Sequence, residues 1–312
     1  MKKVKYLIFL LAIIACTEDF NLDIENENYN IVIEGWITDS EGPYRIIVSK
    51  TTTKNVNSNY QLGIDKYELI KDAVVIISDD NGIIDTLVSN YYYEYDYDYI
   101  REEMFIVDSI ADGTYITSKI KGEPYHTYYL EVIHNNSIYT AEAYMPPVPE
   151  IDSLKYSRYY DAIKYEWRYV PLISFAEPQE EVNYYLFRFI QGFAGSSVPN
   201  ITSFGQYDPW NVSIFSDEYM DEYVNGLNVG EGTSVHYWRD AYTWLIPGDS
   251  VGIFMNSLTA EAFRFYEALI NQFKDDGGVF KPSPASPPTN ISGDALGFFG
   301  ASALSEIKGI VE

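Results

Sequence analysis

Apolar positions in this chain cluster in short runs separated by turn-forming residues. Ile31–Ile37 (IVIEGWI), a turn at Asp39–Pro43 and Tyr44–Ser49 (YRIIVS) read as two consecutive strands. Val74-Val75-Ile76-Ile77, the turn residues Asp79-Asp80-Asn81-Gly82 and then Ile83–Leu87 predict a hairpin. A second hairpin is expected from Tyr128–Ile133, Asn135-Asn136 and Ile138–Ala141. Short strands with turns at this spacing predict a β-sandwich.

Met145-Pro146-Pro147-Val148-Pro149 interrupts the pattern, because closely spaced prolines cannot continue a central strand and form a stiff extended link. Strands resume at Ser153–Tyr159, Tyr169–Phe175 and Asn183–Ile190. The turn Glu177-Pro178-Gln179-Glu180 between the last two resembles the connection between strands B and C of a fibronectin type III or immunoglobulin-like domain. Residues 195–248 mix Gly, Pro and aromatic residues and read as long loops with short strands. After the strand Ser250–Asn256, residues 259–274 (TAEAFRFYEALINQFK) switch to three- and four-residue spacing through Ala262, Phe265, Tyr266, Leu269, Ile270 and Phe273. This is a helix, with Thr259 able to cap its start and Gly277-Gly278 after its end. The tail, 294–303, reads as a closing strand whose glycines mark bends or close approaches.

The expected architecture is thus mainly β, with two immunoglobulin- or fibronectin III-like β-sandwich domains. They cover residues 30–146 and 147–312, and the second carries one packed helix and long loops. Composition supports packed domains: the chain has 312 residues, 46% of them hydrophobic, with 30 tyrosines and 16 phenylalanines that favour strands.

Charge narrows the partners. There are 46 Asp and Glu against 21 Lys and Arg, a formal net charge of −25, which repels phosphate backbones and argues against nucleic acid. It equally disfavours lying flat on anionic lipid.

The N-terminus departs from the strand pattern. Met1–Lys5 (MKKVK) is basic, and Tyr6–Ile14 is an uninterrupted apolar run followed by Ala15. Nine residues in helix rise roughly 14 Å, about half of a hydrocarbon core, so 1–15 is expected to be an export signal and not a membrane span. Ile13-Ile14-Ala15-Cys16 resembles the bacterial lipobox, in which the cysteine takes up lipid; its thiolate is a suitable nucleophile and acyl chains bind membranes. Cys16 is the single cysteine, so no intramolecular disulfide can form and stability must come from packing. Residues 16–29, rich in Asp, Glu and Asn, read as an acidic tether.

With these segments in place, VIEGWITDSEGPYRIIVSKT, IKDAVVIISDDNG, IKGEPYHTYYLEV, MPPVPEIDSL and GDALGFFGASA, together with the lipobox, resemble the Bacteroidetes lipoprotein family catalogued as domain of unknown function 4249. The resemblance implies an outer-membrane location and a neighbouring TonB-dependent receptor, a β-barrel, as partner; it brings no catalytic motif. In the same phylum acidic residues behind the lipidated cysteine resemble a signal for transfer to the cell surface. Glu18 and Asp19 fit that pattern.

The side-chain inventory argues for binding over catalysis. His126, His134 and His236 are the histidines, and no nucleophile elbow, zinc-protease helix or phosphate loop is found. No catalytic residue, metal site or cofactor is expected, beyond covalent lipid on Cys16. Asp79-Asp80-Asn81-Gly82 with Asp85 faintly resembles a calcium loop but lacks the later glutamate, and Asp217-Glu218 with Asp221-Glu222 reads as a solvated loop. In the run 91–100, Tyr91, Tyr93, Tyr95, Tyr97 and Tyr99 fall on one face of a strand and mostly acidic residues on the other. Either an edge strand covers the core with its tyrosines or the ribbon is a partner surface. Trp210, Trp238 and Trp244, in the loop-rich region, are further candidates for a platform that binds a glycan, a peptide or a partner. The function expected is a non-enzymatic accessory protein of a TonB-dependent transporter, lipid-anchored and facing outward. The alternatives are a stand-alone glycan- or peptide-binding lipoprotein and a structural or adhesion component.

Overall fold

A computed structural model describes residues 29–51, 68–89, 92–98, 103–110, 113–162, 165–192, 212–229, 245–274 and 286–312. Among them are the strands β1 (Ile31–Thr38), β2 (Arg45–Lys50), β3 (Glu68–Leu69), β4 (Val74–Asp79), β5 (Ile84–Thr86), β6 (Val88–Ser89), β7 (Tyr92–Asp98), β8 (Glu103–Ile110), β9 (Thr114–Ile116), β10 (Thr127–His134) and β11 (Ser137–Tyr144). Then come β12 (Ile151–Asp161), β13 (Glu166–Ala176), β14 (Tyr184–Gly192), β15 (Val212–Ser216), β16 (Tyr223–Asn228), β17 (Ser250–Leu258), the helix α1 (Ala260–Lys274), β18 (Leu296–Ser302) and β19 (Leu304–Ile310).

The first sandwich packs a sheet ordered β18-β1-β2-β9-β6, with β3 beside β2, against a sheet ordered β11-β10-β4-β5. Alternation decides which residues go inside. Ile33 and Ile37 of β1, Ile46 and Val48 of β2, Val75 and Ile77 of β4, and Leu130 and Val132 of β10 meet in one core. Both expected hairpins are present. Gly82 takes φ 86° in the β4–β5 turn, which Asp79 closes by accepting the Ile83 N–H at 2.7 Å. Asn135 and Asn136 take φ 48° and 64° between β10 and β11, the left-handed pair of a two-residue hairpin turn.

The second sandwich packs β12-β13-β16 against β15-β14-β17-β19. In chain order β12, β13, β14, β15, β16, β17 and β19 take the places A, B, C, C′, E, F and G of an immunoglobulin-like sandwich. The crossing from one sheet to the other at Glu177–Asn183 is the B-to-C connection expected from its turn residues. Ile173, Phe175, Tyr185, Phe187, Ile253 and Met255 fill the space between the sheets.

The tail corrects one expectation. The hydrophobic pattern places 294–303 in the second domain as its closing strand, but β18 pairs in parallel with β1 and extends the first sandwich. It lies in the insertion between β17 and β19, and its Phe299 and Ala301 enter the first core. Two glycines make this approach feasible. Gly297 sits at φ 97° against the Ile33 carbonyl, and Gly300 lies beneath the Trp36 ring where a Cβ would collide. Residues ahead of β18 seal the neighbouring edge: Ser292 N–H donates to the Thr140 carbonyl at 2.8 Å, and Asn290 Nδ2 donates to the Phe299 carbonyl at 2.7 Å.

Helix α1 forms where its spacing predicts, with Thr259 Oγ1 accepting the Ala262 N–H at 3.2 Å as its cap. Its apolar face does not serve the second sandwich alone. Ala262, Tyr266 and Ile270 pack with Leu186 and Leu258 from that sandwich and with Trp36 and Phe298 from the first. Trp36 stacks on Phe298 with centroids 5.8 Å apart and leans on Tyr266 at 5.6 Å. The proline-rich link is fastened too: Ser257 Oγ donates to the Pro146 carbonyl at 2.6 Å, and Val148 packs against both cores.

Candidate interaction surface

β12 and β13 run further than their hydrophobic pattern predicts, each for eleven residues. Strict pairing places Tyr156 opposite Pro171, Arg158 opposite Tyr169 and Tyr160 opposite Trp167, and directly opposed residues share a face. At the base of this face Leu154, Tyr156 and Tyr169 pack on the second core. Two residues further on, the same face carries Arg158, Tyr160 and Trp167, and there the core has ended.

The tip therefore presents apolar area to solvent. Trp167 is 50% exposed and Tyr160 49%, and their rings meet edge to face at 5.4 Å. The Arg158 guanidinium lies over the indole, 4.9 Å from its centroid. Tyr165, at φ 60° in the turn, is 80% exposed, and Tyr159 on the opposite face adds another exposed ring. Trp, Tyr and Arg are the residue types that dominate binding hot spots, and mutual stacking holds these rings before a partner arrives, which lowers the entropy lost on docking.

A second concavity lies on the outer face of the β11-β10-β4-β5 sheet, a groove of about 540 Å³. Ile76, Ile84 and Tyr129 supply its apolar lining, and Glu131, Glu142 and Asn290 its polar rim. At the far end of this sheet Asp80 accepts from His126 at 2.7 Å, which raises the histidine pKa and lowers that of the carboxylate; both are solvent-facing.

The residues singled out from the sequence are distributed unevenly. Cys16, Glu18, Asp19, Tyr91, Tyr99, Trp210, Trp238 and Trp244 lie outside the described residues, as does His236. Tyr93, Tyr95 and Tyr97 belong to β7, which pairs with β8 in a two-stranded ribbon of its own. Among the described residues β7 hydrogen-bonds to β8 and to no strand of either sandwich. A bulge between Glu94 and Tyr95 shifts the register, leaving Val107 without an opposite residue. Seven residues of β7 reach roughly 23 Å at strand rise.

The aspartates suspected of a calcium loop have structural tasks. Asp79 closes its turn, and fully buried Asp85 accepts the backbone N–H groups of Ser118 at 2.6 Å, Lys119 at 2.7 Å and Ile120 at 3.2 Å. Among the described residues no three His, Cys, Asp or Glu side chains are grouped to hold a metal ion, and no helix is long and apolar enough to cross a membrane.

The Arg158/Tyr160/Trp167 tip was missed because the pattern ends the strands at Tyr159 and begins the next at Tyr169. The density of aromatics in SRYYDAIKYEWRY is the signal that could have exposed it. No curated protein matches the chain. A family model does match, over residues 17–308, and the chain therefore belongs to the family described as Domain of unknown function (DUF4249).

Proposed function

We propose that this protein is a non-enzymatic, lipid-anchored outer-membrane protein, displayed on the cell surface, that serves as an accessory subunit of a TonB-dependent transporter. Lipid on Cys16 would hold the body at the membrane and raise the effective concentration for a weak contact with the barrel. The acids at Glu18 and Asp19 would direct it outward. The observation that carries the partner-binding reading is the β12–β13 tip, where Trp167, Tyr160 and Arg158 form a preassembled exposed cluster. The tyrosine run 91–99 would offer a second contact surface of the same chemistry.

The test is a pull-down through a C-terminal tag from detergent-solubilised membranes. An outer-membrane barrel should co-purify with the wild type, and substitution of Tyr160 and Trp167 by alanine should reduce its recovery at least tenfold. Absence of any barrel in the wild-type eluate would remove the proposal. Protease shaving of intact cells checks the orientation: digestion supports surface display, and protection places the body in the periplasm.

A second reading, direct capture of a glycan or peptide, is favoured by the groove on the outer sheet face, where Tyr129 lies among Glu131, Glu142 and Asn290. Binding of soluble glycans that is abolished by Tyr129→Ala, without a barrel present, would support that reading in place of the first.

A further inference from the structure

On the outer face of the β11-β10-β4-β5 sheet, strand pairing fixes which side chains are neighbours. Tyr129 of β10 stands opposite Ser78 of β4 on one side and Glu142 of β11 on the other. Two residues further along, Glu131 stands opposite Ile76 and Thr140. Ile84 of β5 pairs with Ser78 and is 61% exposed, which continues the Tyr129 row to the sheet edge. These two rows line most of the groove of about 540 Å³. The row beyond them, Val74, Ile133 and Ile138, is apolar, and Val74 and Ile138 are exposed.

This register puts Glu131 and Glu142 on a diagonal, with Cα atoms roughly 7–8 Å apart, and sets Tyr129, 42% exposed, beside both. Neither carboxylate has a hydrogen-bond or ion-pair partner among the described residues. No Lys, Arg or His lines the groove, and the Lys119 ammonium at its far edge reaches the Ile84 carbonyl, at 3.4 Å. Two like charges are therefore held near each other and near an aromatic ring with nothing in the groove to offset them. A ligand that brings positive charge gains there, and the formal net charge of −25 draws such a ligand to the protein.

We propose that the groove takes a basic peptide segment, with an arginine side chain seated on Tyr129 between Glu131 and Glu142. The inference rests on the second reading of the function, direct capture of a ligand at this face, and narrows the class of that ligand. A guanidinium is planar and carries five N–H donors, so one group can stack on the tyrosine ring and still donate to both carboxylates. Its aliphatic stem would lie along Ile76 and Ile84, and an apolar neighbour in the peptide would meet Val74 and Ile138. A neutral sugar could stack on Tyr129 but would leave both carboxylates without a counter-charge. The volume lies in the ~300–1,000 Å³ range of ligand pockets, more than one side chain fills.

The test is calorimetric titration of the full-length chain, purified in detergent, with three probes: a blocked Leu-Arg-Leu peptide, the same peptide with citrulline in place of arginine, and maltohexaose as a neutral glycan. At 50 mM NaCl the arginine peptide should bind about tenfold tighter than the citrulline peptide, and 500 mM NaCl should erase most of that margin. Glu131→Gln and Glu142→Gln should each reduce the margin severalfold. Glu150→Gln, at an exposed acid outside the groove, should leave it unchanged. Equal affinity for the arginine and citrulline peptides would overturn the proposal, and that comparison uses the wild type alone. Arginine-dependent binding that survives both glutamine substitutions would overturn it too, since the charge would then be read elsewhere. If maltohexaose alone binds, and Tyr129→Ala abolishes it, the basic-peptide inference fails while capture at the groove stands; if none of the three binds at millimolar concentration, both fall.

Discussion

Replacing Asp85 by alanine removes one carboxylate and three backbone partners at once. Asp85 is fully buried in β5, its Oδ2 takes the N–H groups of Ser118, Lys119 and Ile120, and its Oδ1 takes the Ser118 hydroxyl at 2.9 Å. In the alanine variant water can reach Ser118 and Lys119, which are exposed, so each of those bonds costs about 1 kcal/mol. Ile120 is buried, and its orphaned N–H costs a further ~1–3 kcal/mol. The sum, about 3–5 kcal/mol, is a large share of a typical folding free energy of ~5–15 kcal/mol. Asparagine should be milder, at about 1–2 kcal/mol, because its oxygen can accept the three N–H groups while its amide donates to the Ser118 hydroxyl. Urea unfolding followed by tryptophan fluorescence reads both; with a slope near ~2–3 kcal/mol per molar, the alanine midpoint should fall by roughly 1.5 M. The pH dependence separates charge from shape. Burial acts against the Asp85 charge, but hydrogen bonds from Lys119, Ser118 and Ile120 outweigh it and hold the pKa below the usual range. A depressed carboxylate stabilises above its unfolded pKa of about 3.9 and loses that contribution as pH falls through the folded value. The gap between wild type and Asp85→Asn should accordingly be constant above about pH 5 and shrink on acidification. An alanine variant within 1 kcal/mol of wild type, or an asparagine variant as unstable as alanine, would refute the reasoning.

Gly300→Ala puts a methyl group into the Trp36 ring and should cost about 1–3 kcal/mol in the same urea assay. Trp36→Ala empties the junction that α1 shares with both sandwiches and should cost about 3–5 kcal/mol; partial proteolysis should then cut first near the helix. Cys16→Ser should abolish labelling by radioactive palmitate and move the protein from the membrane to the soluble fraction of lysed cells.

The hairpins, the helix and the proline link were legible because each depends on local chemistry. The apolar runs Val74-Val75-Ile76-Ile77 and Ile83-Ile84 around Asp79–Gly82, paired asparagines that tolerate positive φ, and Thr259 ahead of a three-to-four spacing need no distant partner to be recognised. The candidate surface was less visible. Arg158, Tyr160 and Trp167 carry no spacing motif, and their exposure follows from β12 and β13 outrunning the core they cover at the base. Glu131 and Glu142 were harder still, because acids of two strands come to flank Tyr129 only when those strands pair in this register.

By itself the sequence determined a mainly β chain, the boundaries of most strands, the helix and the acidic character of the surface, since period, turn chemistry and charge are properties of short segments. Only the tertiary structure decided which sandwich receives β18, that α1 bridges both, and where aromatic rings are left in solvent. Those outcomes are set by which faces find a complementary partner, and a strand such as Leu296–Ser302, with Phe298 on one side and Phe299 on the other, can satisfy more than one. Gly297 and Gly300 settle it in favour of β1, because there the backbone can approach Ile33 and Trp36 closely enough to pair.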